Sequence, residues 1–385
     1  MKLSTLSNLS PYIQQQLRQF PRRRDYSNYL ARIALPPFSI QPVDFLYIAI
    51  FKIRTEVPSG GGAMRTAPTH VTLNTGHKMP LLGFGTYQPR PEDAGDAVEA
   101  AIRVGYRHLD CASAYWNEKK IGDTLQKLFK EGVVKREDLW ITSKIGNDSH
   151  GSEEAPKCLQ KTLSDLQLEY VDLYLIHWPV SFKKGYSWPP EPHMFNSDKP
   201  LEEDIKETWQ TMEKMVEEGQ VRNIGVSNFS SKKITGLLEY AKIAPAVNQV
   251  ECHPMLHQDK LRTFMKTHDI HLSAYSPLGC WGSPGVTVNL LEQAVLKKIA
   301  ENNGKTPAQV ALRWGIQKGN SVLPRSKTPE RVKENFDLFS FSLSEEDMTE
   351  IEKLEQKRFT TGEYICNEKG SYYRTPKDLW DDEEV

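Results

Sequence analysis

The sequence predicts an α/β protein built as a (β/α)8 TIM barrel, with a short N-terminal hairpin in front of it. From about residue 70 onward, short apolar runs typical of buried strands alternate with polar amphipathic stretches. Eight such runs separated by helical patterns indicate parallel βαβ units, and eight units favour closure into a barrel. An open dinucleotide-binding sheet normally carries G-x-G-x-x-G after its first strand, but here residues 83–85 (Gly-Phe-Gly) are followed by Thr86-Tyr87-Gln88.

Each element follows from a local pattern. Residues 71–79 contain two short extended halves around a turn, which predicts the hairpin. Helices are predicted where apolar residues recur three and four positions apart, as on the faces formed by Ala94, Val98, Ala101 and Ile102 and by Ile205, Trp209, Met212 and Met215. The predicted strands are Leu81–Thr86, Tyr106–Cys111, Leu139–Lys144, Val171–His177, Val221–Ser227, Ala246–Glu251, His271–Tyr275 and Ser321–Pro324.

Composition narrows the classes of function. The chain has 385 residues and a formal net charge of -1, so it has no global basic field that would favour nucleic acid or an acidic membrane. Its five cysteines are scattered without C-x-x-C spacing, which favours a reducing compartment, with the cytoplasm as the expected location. The longest wholly apolar run among the first 60 residues, Phe45–Phe51, is far shorter than the roughly 20 residues of a membrane span.

The first 63 residues differ from the rest and divide the chain into a leader, 1–63, and a barrel domain, 64–385. The leader carries eight basic residues against three acids and ends in the flexible run Ser59–Gly62. An Arg-rich, acid-poor N-terminus is typical of a plastid or mitochondrial transit peptide. A disordered leader, or sequence upstream of a true start at Met64, explains the same composition.

Four polar residues lie where a barrel of this kind places its chemistry, at the C-terminal ends of the strands. Asp110 lies near the end of the second predicted strand, Tyr115 follows in the next loop, and Lys144 and His177 end the third and fourth. A charged group at the end of a buried strand is costly unless it is paired, so Asp110 and Lys144 are expected to neutralise each other. We call these four residues the polar quartet.

Other interpretations of the polar quartet remain open from the residues alone. Asp110 and Lys144 would also make sense as a structural ion pair, with Tyr115 a loop aromatic and His177 a hydrogen-bonded core histidine. Metal binding by His177, His253 and Asp110 is the weaker chemical alternative, because the sequence contains no H-E-x-x-H motif of the kind that binds zinc on a helix. Finding all four at one end of the predicted barrel favours catalysis.

The chain resembles the aldo-keto reductases over about residues 70–385, and within them the plant-type aldose and aldehyde reductases. Blocks that carry the resemblance, in order, are residues 105–112 (GYRHLDCA), Tyr115 with Asn117-Glu118, residues 142–144 (TSK), 176–179 (IHWP), 225–229 (GVSNF), 248–254 (NQVECHP), 274–278 (AYSPL) and 323–329 (LPRSKTP). A single block would be weak, but this many in one order is specific.

The resemblance implies an NADP(H)-dependent oxidoreductase that reduces aldehyde, ketone or sugar carbonyls. In that scheme a hydride passes from the nicotinamide to the carbonyl carbon, and Tyr115 donates the proton to the developing alkoxide. A free tyrosine has a pKa near 10, so Lys144⁺ is expected to lower the pKa of Tyr115, with Asp110 holding the lysine in place. His177 would donate a hydrogen bond that orients the carbonyl oxygen.

Cofactor contacts carry over by position. Tyr275 corresponds to the aromatic platform under the nicotinamide, and Ser227, Asn228 and Gln249 to the residues that hold its carboxamide. The remaining contacts implied along the cofactor are Gly85, Thr86, Asp110, Ser276, Pro277 and Leu278. The site for the adenosine 2′-phosphate and adenine is expected at Arg325, Ser326, Thr328, Arg331, Glu334 and Asn335. Arg325 stands where the family commonly has Lys, and two arginines near this site favour NADPH over NADH. Without the surrounding motifs, they would suggest a solvated helix entry.

The substrate pocket departs from the family pattern. Tyr87, Trp116, His177 and Trp178 are the expected substrate contacts, but Tyr87 stands where many members have Trp. Residue 146 is Gly where Trp usually stands, which predicts a pocket open to bulkier or more polar carbonyl compounds. The segment from Thr361 to Val385 is expected to fold over the site, so Tyr364, Tyr372 and Trp380 would contact substrate or anchor the segment by packing.

Two further functions compete with carbonyl reduction. One is a non-catalytic, NADPH-binding partner subunit on the same barrel, against which the complete polar quartet argues. The other is a Schiff-base aldolase that uses Lys144 and needs no nicotinamide. A small-molecule carbonyl substrate, no metal and a monomeric chain are the remaining expectations.

Overall fold

The computed structural model describes residues 69–88, 90–185, 190–196 and 199–383. The expected leader, residues 1–63, and its boundary at Met64 lie outside these ranges.

A parallel sheet forms the centre of the described part of the chain. Its eight strands pair in sequence order, each with the next along the chain. They are β3 (Phe84–Gly85), β4 (His108–Asp110), β5 (Trp140–Ile145), β6 (Leu173–Ile176), β7 (Ile224–Ser227), β8 (Val247–Glu251), β9 (His271–Tyr275) and β10 (Ser321–Val322). Each predicted strand is therefore confirmed.

The sheet closes on itself, as the sequence predicts. Leu82, just before β3, bridges Val322 of β10 in parallel. The backbone N–H of Gly83 donates to Val322 O at 2.9 Å, and that of Gly85 donates to Pro324 O at 3.0 Å. These bonds join the first and last strands, which makes the sheet a (β/α)8 barrel. The observed first and last strands are shorter than the predicted ones, Leu81–Thr86 and Ser321–Pro324.

Helices surround the barrel and alternate with its strands. In chain order, the α-helices of the described ranges are α1 (Ala94–Val104), α2 (Glu118–Lys130), α3 (Gly151–Leu166), α4 (Leu201–Glu217), α5 (Ser231–Leu238), α6 (Asp259–Thr267), α7 (Ala294–Asn303), α8 (Pro307–Gln317), α9 (Pro329–Phe336), α10 (Glu345–Glu352) and α11 (Pro376–Trp380). The predicted apolar faces of α1 and α4 are buried, with Val98 and Trp209 each at 0% exposure. No helix in these ranges is both long and apolar enough to cross a membrane.

The predicted hairpin closes the N-terminal end of the barrel. Its strands β1 (His70–Thr72) and β2 (Lys78–Pro80) pair antiparallel, with Val71 opposite Met79. Met79 is fully buried and packs with Leu173, Leu175 and Val247, whose side chains fill the barrel interior. Because this end is plugged by apolar side chains, polar chemistry is left to the opposite end.

The C-terminal segment packs at that opposite end, as expected. Trp380 and Tyr373 belong to an apolar cluster that includes Trp178, which follows His177. The Tyr373 hydroxyl donates to Pro179 O at 2.8 Å, and the Lys233 ammonium of α5 forms an ion pair with Asp381. These contacts fasten the segment beside the strand ends.

Candidate active site

Strand register brings Asp110, Lys144 and His177 to one side of the barrel interior. Asp110 lies opposite Thr142, and Lys144 lies opposite Leu175. Side chains two residues apart on a strand point to the same face, so Lys144 rises one step above Asp110, and His177 follows one step above Leu175. The alternation of the strands thus produces the convergence that the sequence predicts.

The Lys144 ammonium is fully buried and saturated with acceptors. Its Nζ lies 2.8 Å and 2.9 Å from the two Asp110 carboxylate oxygens, 2.9 Å from Cys111 O and 3.4 Å from Tyr115 Oη. Burial by itself lowers the pKa of Lys144, but Asp110 and Tyr115 outweigh it and the pKa is raised. The lysine therefore stays charged, which argues against a Schiff-base nucleophile, since that role requires a lowered pKa.

Tyr115 ends a 3₁₀ turn, Ser113–Tyr115, that is tied to the lysine strand. The Ser113 hydroxyl donates to Lys144 O at 3.1 Å, which fixes the turn against β5. Because Lys144 donates to the Tyr115 oxygen, the phenol keeps its own proton for another acceptor.

Lys144 lowers the pKa of Tyr115, as the sequence predicts, but the pKa of this buried phenol is nevertheless raised overall. Burial raises the pKa of Tyr115, and the opposing effect of Lys144 offsets it only in part. The sequence predicts that Lys144 acts on the pKa of Tyr115, but it does not show how deeply the phenol is buried. A raised pKa keeps the phenol protonated at neutral pH, as a proton donor must be.

His177 faces Tyr115 and is neutral. The two rings meet edge to face, with centroids 5.7 Å apart. Burial, reinforced by Lys144, holds the pKa of His177 well below its usual range. Its Nδ1 has no hydrogen-bond partner among the described residues, and a neutral imidazole has a single N–H to donate. The ring can therefore donate one hydrogen bond without adding charge to the site.

A second layer of polar side chains surrounds the quartet. Gln249 of β8 reaches across the barrel and donates from Nε2 to Asp110 Oδ1 at 2.8 Å. Asn228 donates to His177 O at 3.0 Å and accepts from the Tyr275 hydroxyl at 2.8 Å, while the Ser227 hydroxyl donates to Gln249 O at 2.8 Å. The expected nicotinamide residues thus form one network with the quartet.

Two of the expected cofactor residues have left-handed backbone conformations. Asn228 has φ of 63° and Ser276 has φ of 47°. Asparagine tolerates this region better than most residues, whereas serine is an uncommon choice there. Pro277 and Leu278 follow Ser276 in the loop after β9, and the Gly279 N–H donates back to Ser276 O at 2.9 Å. This turn carries the chain away from the barrel directly after Tyr275.

The start of the first βα loop is packed closely against the last strand. A Cβ added to Gly85 would lie 3.0 Å from Leu323 O and 3.5 Å from the Arg325 Cβ, so only glycine fits without displacement. The Thr86 hydroxyl donates to Asp110 O at 2.9 Å. The cofactor loop and the quartet therefore share a backbone contact.

The expected adenosine-phosphate residues gather at the N-terminus of α9. Thr328 is the N-cap residue, and its backbone N–H donates to the Ser326 hydroxyl at 3.1 Å. Arg325 and Arg331 are exposed and form no ion pair within the described ranges; Arg325 lies over the Tyr87 ring at 5.6 Å. Two unpaired cations at a helix N-terminus make a site suited to a phosphate.

Two members of that expected set have structural duties as well. The Glu334 carboxylate accepts from the Thr306 hydroxyl, the N-cap of α8, at 2.9 Å. Asn335 is buried at 4% exposure on the inner face of α9.

The expected substrate residues separate into two groups. Tyr87 and Trp116 are 52% and 75% exposed, and the Tyr87 ring meets that of Tyr115 at 5.4 Å. Trp178 is instead buried against Tyr364 and Trp380, at ring distances of 6.0 Å and 5.9 Å. In this arrangement Trp178 and Trp380 anchor the C-terminal segment.

Gly146 lies against polar groups. A Cβ there would meet Asp148 Oδ1 at 2.9 Å, Ser113 Oγ at 3.3 Å and Ser149 Oγ at 3.5 Å. The side of the site next to Tyr115 is therefore lined by two hydroxyls and a carboxylate.

Sequence reasoning missed three contributors to the site. The Cys111 carbonyl is a backbone group, and only strand geometry shows that it accepts from Lys144. Ser113 carried no signal beyond its closeness to Tyr115. Glu251 did carry one, because it ends an apolar strand as Asp110 does; its carboxylate accepts from the backbone N–H groups of Phe359 and Thr360 at 3.0 Å and 2.8 Å.

This geometry bears on the two alternative interpretations of the polar quartet, a structural ion pair and a metal site. Asp110 and Lys144 do form a buried ion pair, but Lys144 also contacts the Tyr115 hydroxyl, which a purely structural pair would not need. Within the described ranges, no group of three His, Cys, Asp or Glu side chains is arranged to hold a metal ion.

Comparison with known proteins gives one consistent result. The model of the aldo/keto reductase family matches residues 81–356. Aldo-keto reductase family 4 member C11 of Arabidopsis thaliana is 50% identical, over 81% of this chain and 97% of that protein. Aldo-keto reductase family 1 member A1 of Bos taurus is 43% identical, over 75% of this chain and 90% of that protein.

A comparison with solved structures points to the same family. The aldose reductase of Schistosoma japonicum superposes with a TM-score of 0.71 at 37% identity, covering 79% of this chain and 99% of that one. This chain belongs to the aldo/keto reductase family and is an oxidoreductase that acts on small carbonyl compounds.

Proposed function

We propose that this chain uses NADPH to reduce aldehyde, ketone or sugar carbonyls to alcohols, with Tyr115 as the proton donor. The observation that carries the proposal is the 3.4 Å contact between the charged, buried Lys144 Nζ and Tyr115 Oη. An ammonium fixed on the oxygen side of a phenol stabilises the tyrosinate that proton donation leaves behind.

Each member of the quartet has one task in this scheme. Tyr115 releases its proton to the substrate oxygen as negative charge develops there. Lys144, held by Asp110 and the Cys111 carbonyl, then faces the tyrosinate at hydrogen-bond distance. The neutral His177 donates a hydrogen bond to the same substrate oxygen, which orients the carbonyl group.

The residues around the quartet fit a nicotinamide cofactor. Tyr275 offers a flat face at the end of β9. Ser227, Asn228 and Gln249 offer the amide and hydroxyl groups suited to a carboxamide. NADPH, when bound, supplies the hydride.

The preference for NADPH over NADH rests on Arg325 and Arg331. Their guanidinium groups are exposed, lack carboxylate partners in the described ranges, and flank the N-terminus of α9. Both the helix dipole and a bidentate guanidinium favour a phosphate dianion. The 2′-phosphate of NADPH would be attracted by these two positive charges, whereas NADH has no phosphate at that position.

The decisive experiment is a panel of carbonyl substrates with NADPH, measured on wild type and on Tyr115→Phe. We expect kcat to fall by about 100-fold or more in the variant, because the proton donor is lost while the ring remains. Tyr87→Phe is the matched control, since it removes a hydroxyl from the neighbouring ring and should leave kcat within about threefold. Near-full activity of Tyr115→Phe would overturn the assignment.

The same panel separates catalysis from a partner role on the same barrel. A non-catalytic NADPH-binding subunit would consume no cofactor with any aldehyde of the panel. A monomeric state is proposed from the family and is checked by light scattering during gel filtration.

The proposed location is the cytoplasm, with a plastid or mitochondrion as the alternative if residues 1–63 are a transit peptide. The five cysteines, none of them paired in the structure, are compatible with a reducing compartment. N-terminal sequencing of the protein from its native source decides between the two, since an intact Met1 rules out cleavage.

A further inference from the structure

A cavity that none of the polar quartet lines lies between the loop after β9 and the start of the C-terminal segment. Its volume is about 450 Å³, and Gly285, Lys357, Arg358, Thr361, Glu363 and Tyr364 are among the residues that line it. We call it the C-terminal cavity. Pockets of this size accommodate small metabolites.

The unusual lining residue is Arg358. It is only 9% exposed, and its guanidinium lies over the Trp380 ring at 3.9 Å. In the described part of the chain it has no carboxylate partner, and its buried Nη1 has no acceptor. A buried arginine N–H without an acceptor is unfavourable, because the desolvated group loses its bonds to water and gains none in return.

The acidic group with the largest electrostatic effect on Arg358 already has other partners. Both oxygens of Glu251 are used: Oε1 accepts from His253 Nε2 and the Phe359 N–H, and Oε2 accepts from the Thr360 N–H. Burial lowers the pKa of Arg358, and the negative charge of Glu251 offsets this in part. Arg358 remains a cation whose hydrogen-bonding capacity the protein does not fill.

A second cation stands beside it. Lys357 also lines the cavity, and in the described ranges its ammonium contacts only the Thr287 hydroxyl, at 3.3 Å. Glu363 contributes one exposed carboxylate, so the lining carries two positive charges against one negative charge. The balance favours an anion.

We propose that the C-terminal cavity binds the oxyanion of a small molecule, a phosphate or a carboxylate, through Arg358 and Lys357. Stacking on Trp380 holds the guanidinium plane in a fixed orientation, which suits the two parallel hydrogen bonds that arginine makes to such groups. The site is separate from the adenosine-phosphate residues at the N-terminus of α9, and it does not depend on the proposed reaction.

An anion bound there would act on the segment that covers the active site. Tyr364 of the cavity and Trp380 beneath Arg358 both pack against Trp178, which follows His177. A ligand joined to Arg358 and Lys357 ties the start of the segment to one position. Protection of residues 357–366 from amide hydrogen exchange should therefore increase when the anion binds.

The direct test is calorimetric titration of inorganic phosphate into the full chain saturated with NADP⁺. We expect one saturable site, at least tenfold weaker in Arg358→Met and severalfold weaker in Lys357→Met. Met keeps an unbranched apolar chain against Trp380, and Lys357→Met provides a second variant if the first folds poorly. Lys353→Met removes one exposed positive charge outside the cavity and should bind phosphate as wild type does.

Three results would overturn the proposal: no saturable binding to wild type, binding by Arg358→Met equal to wild type, or binding that disappears in Arg331→Ala and survives in Arg358→Met. The last would place the phosphate at the adenosine-phosphate residues. Because calorimetry needs no turnover, failure of the reductase assignment would leave this test intact.

A kinetic comparison distinguishes the two sources of the oxyanion. KM is measured for glyceraldehyde and for glyceraldehyde 3-phosphate in wild type and Arg358→Met. A rise in KM confined to the phosphorylated aldehyde shows that the substrate brings the oxyanion. Unchanged KM values, together with lost phosphate binding, show that a separate small molecule does.

Discussion

Replacing Asp110 by Asn separates the structural and catalytic contributions of the buried ion pair. Asn has nearly the same shape, but it presents an amide and no negative charge to Lys144. The lysine then keeps the Cys111 carbonyl, the Tyr115 hydroxyl and one amide oxygen as acceptors, but it loses one of its two side-chain contacts to residue 110 and the negative charge that compensated its own. Breaking one side of a buried pair typically costs about 3–5 kcal/mol, because the remaining charge is left without compensation.

Two effects should follow. The free energy of unfolding, measured in urea, is expected to fall by about 3–5 kcal/mol. Without Asp110, burial lowers the pKa of Lys144, and a neutral lysine no longer stabilises the tyrosinate. We therefore expect kcat with an aromatic aldehyde to fall by about 100-fold or more at neutral pH.

Asp172 provides the matched control at the other end of the barrel. It is also buried, and it pairs with Arg136 at 2.8 Å and with Arg222 at 3.1 Å, at the start of the strand whose other end leads to His177. Its partners are 16% and 44% exposed, so Asp172→Asn should lose less stability, about 1–3 kcal/mol, and keep kcat. If Asp110→Asn also kept kcat within twofold, the pair would be structural and the proposed role of Asp110 would be refuted.

Three other predictions concern the cofactor, the C-terminal segment and the pocket. Arg331→Ala should raise the KM for NADPH at least tenfold and leave that for NADH nearly unchanged, since a charge-assisted bond contributes about 1.5–3 kcal/mol; equal losses would reject the phosphate site. Glu251→Gln should lower stability by about 1.5–3 kcal/mol at neutral pH. Although burial opposes it, the bonds from His253, Thr360 and Phe359 lower the Glu251 pKa, so the wild-type advantage should hold above the ordinary value of 4.5 and fade as pH falls below it. An advantage that grew in acid would contradict this sign. Gly146→Trp must displace Asp148 and Ser113, so kcat/KM for bulky relative to small aldehydes should drop about tenfold; an unchanged ratio would show that residue 146 does not shape the pocket.

The barrel was predictable because its signals are local and repeated. Each strand can be recognised from an apolar run of a few residues. Eight such runs that alternate with helices are compatible with only a few fold topologies. Asp110, Lys144 and His177 were predictable for the same reason, since a polar residue that ends an apolar strand has a known place in a barrel. The contact between Gln249 and Asp110 was not predictable from residues alone, because it crosses the barrel interior between strands that are distant in the chain.

The sequence does not predict properties that depend on how deeply a side chain is buried. The pKa of Tyr115 depends on how far burial outweighs Lys144, and burial is known only once the fold is known. The role of Trp178 shows the same limit. Its position after His177 suggests a substrate contact, whereas its burial against Trp380 depends on a segment about 200 residues later in the chain.

The attachment of the C-terminal segment to Glu251 has a consequence for how specificity can change. The carboxylate recognises backbone N–H groups at positions 359 and 360, which every amino acid except proline supplies. Side chains farther along the segment can then be exchanged, by natural variation or by protein engineering, without releasing this attachment. Grafting segments from relatives onto the same barrel, with proline excluded at those two positions, should yield reductases that share one chemistry and differ in their choice of substrate.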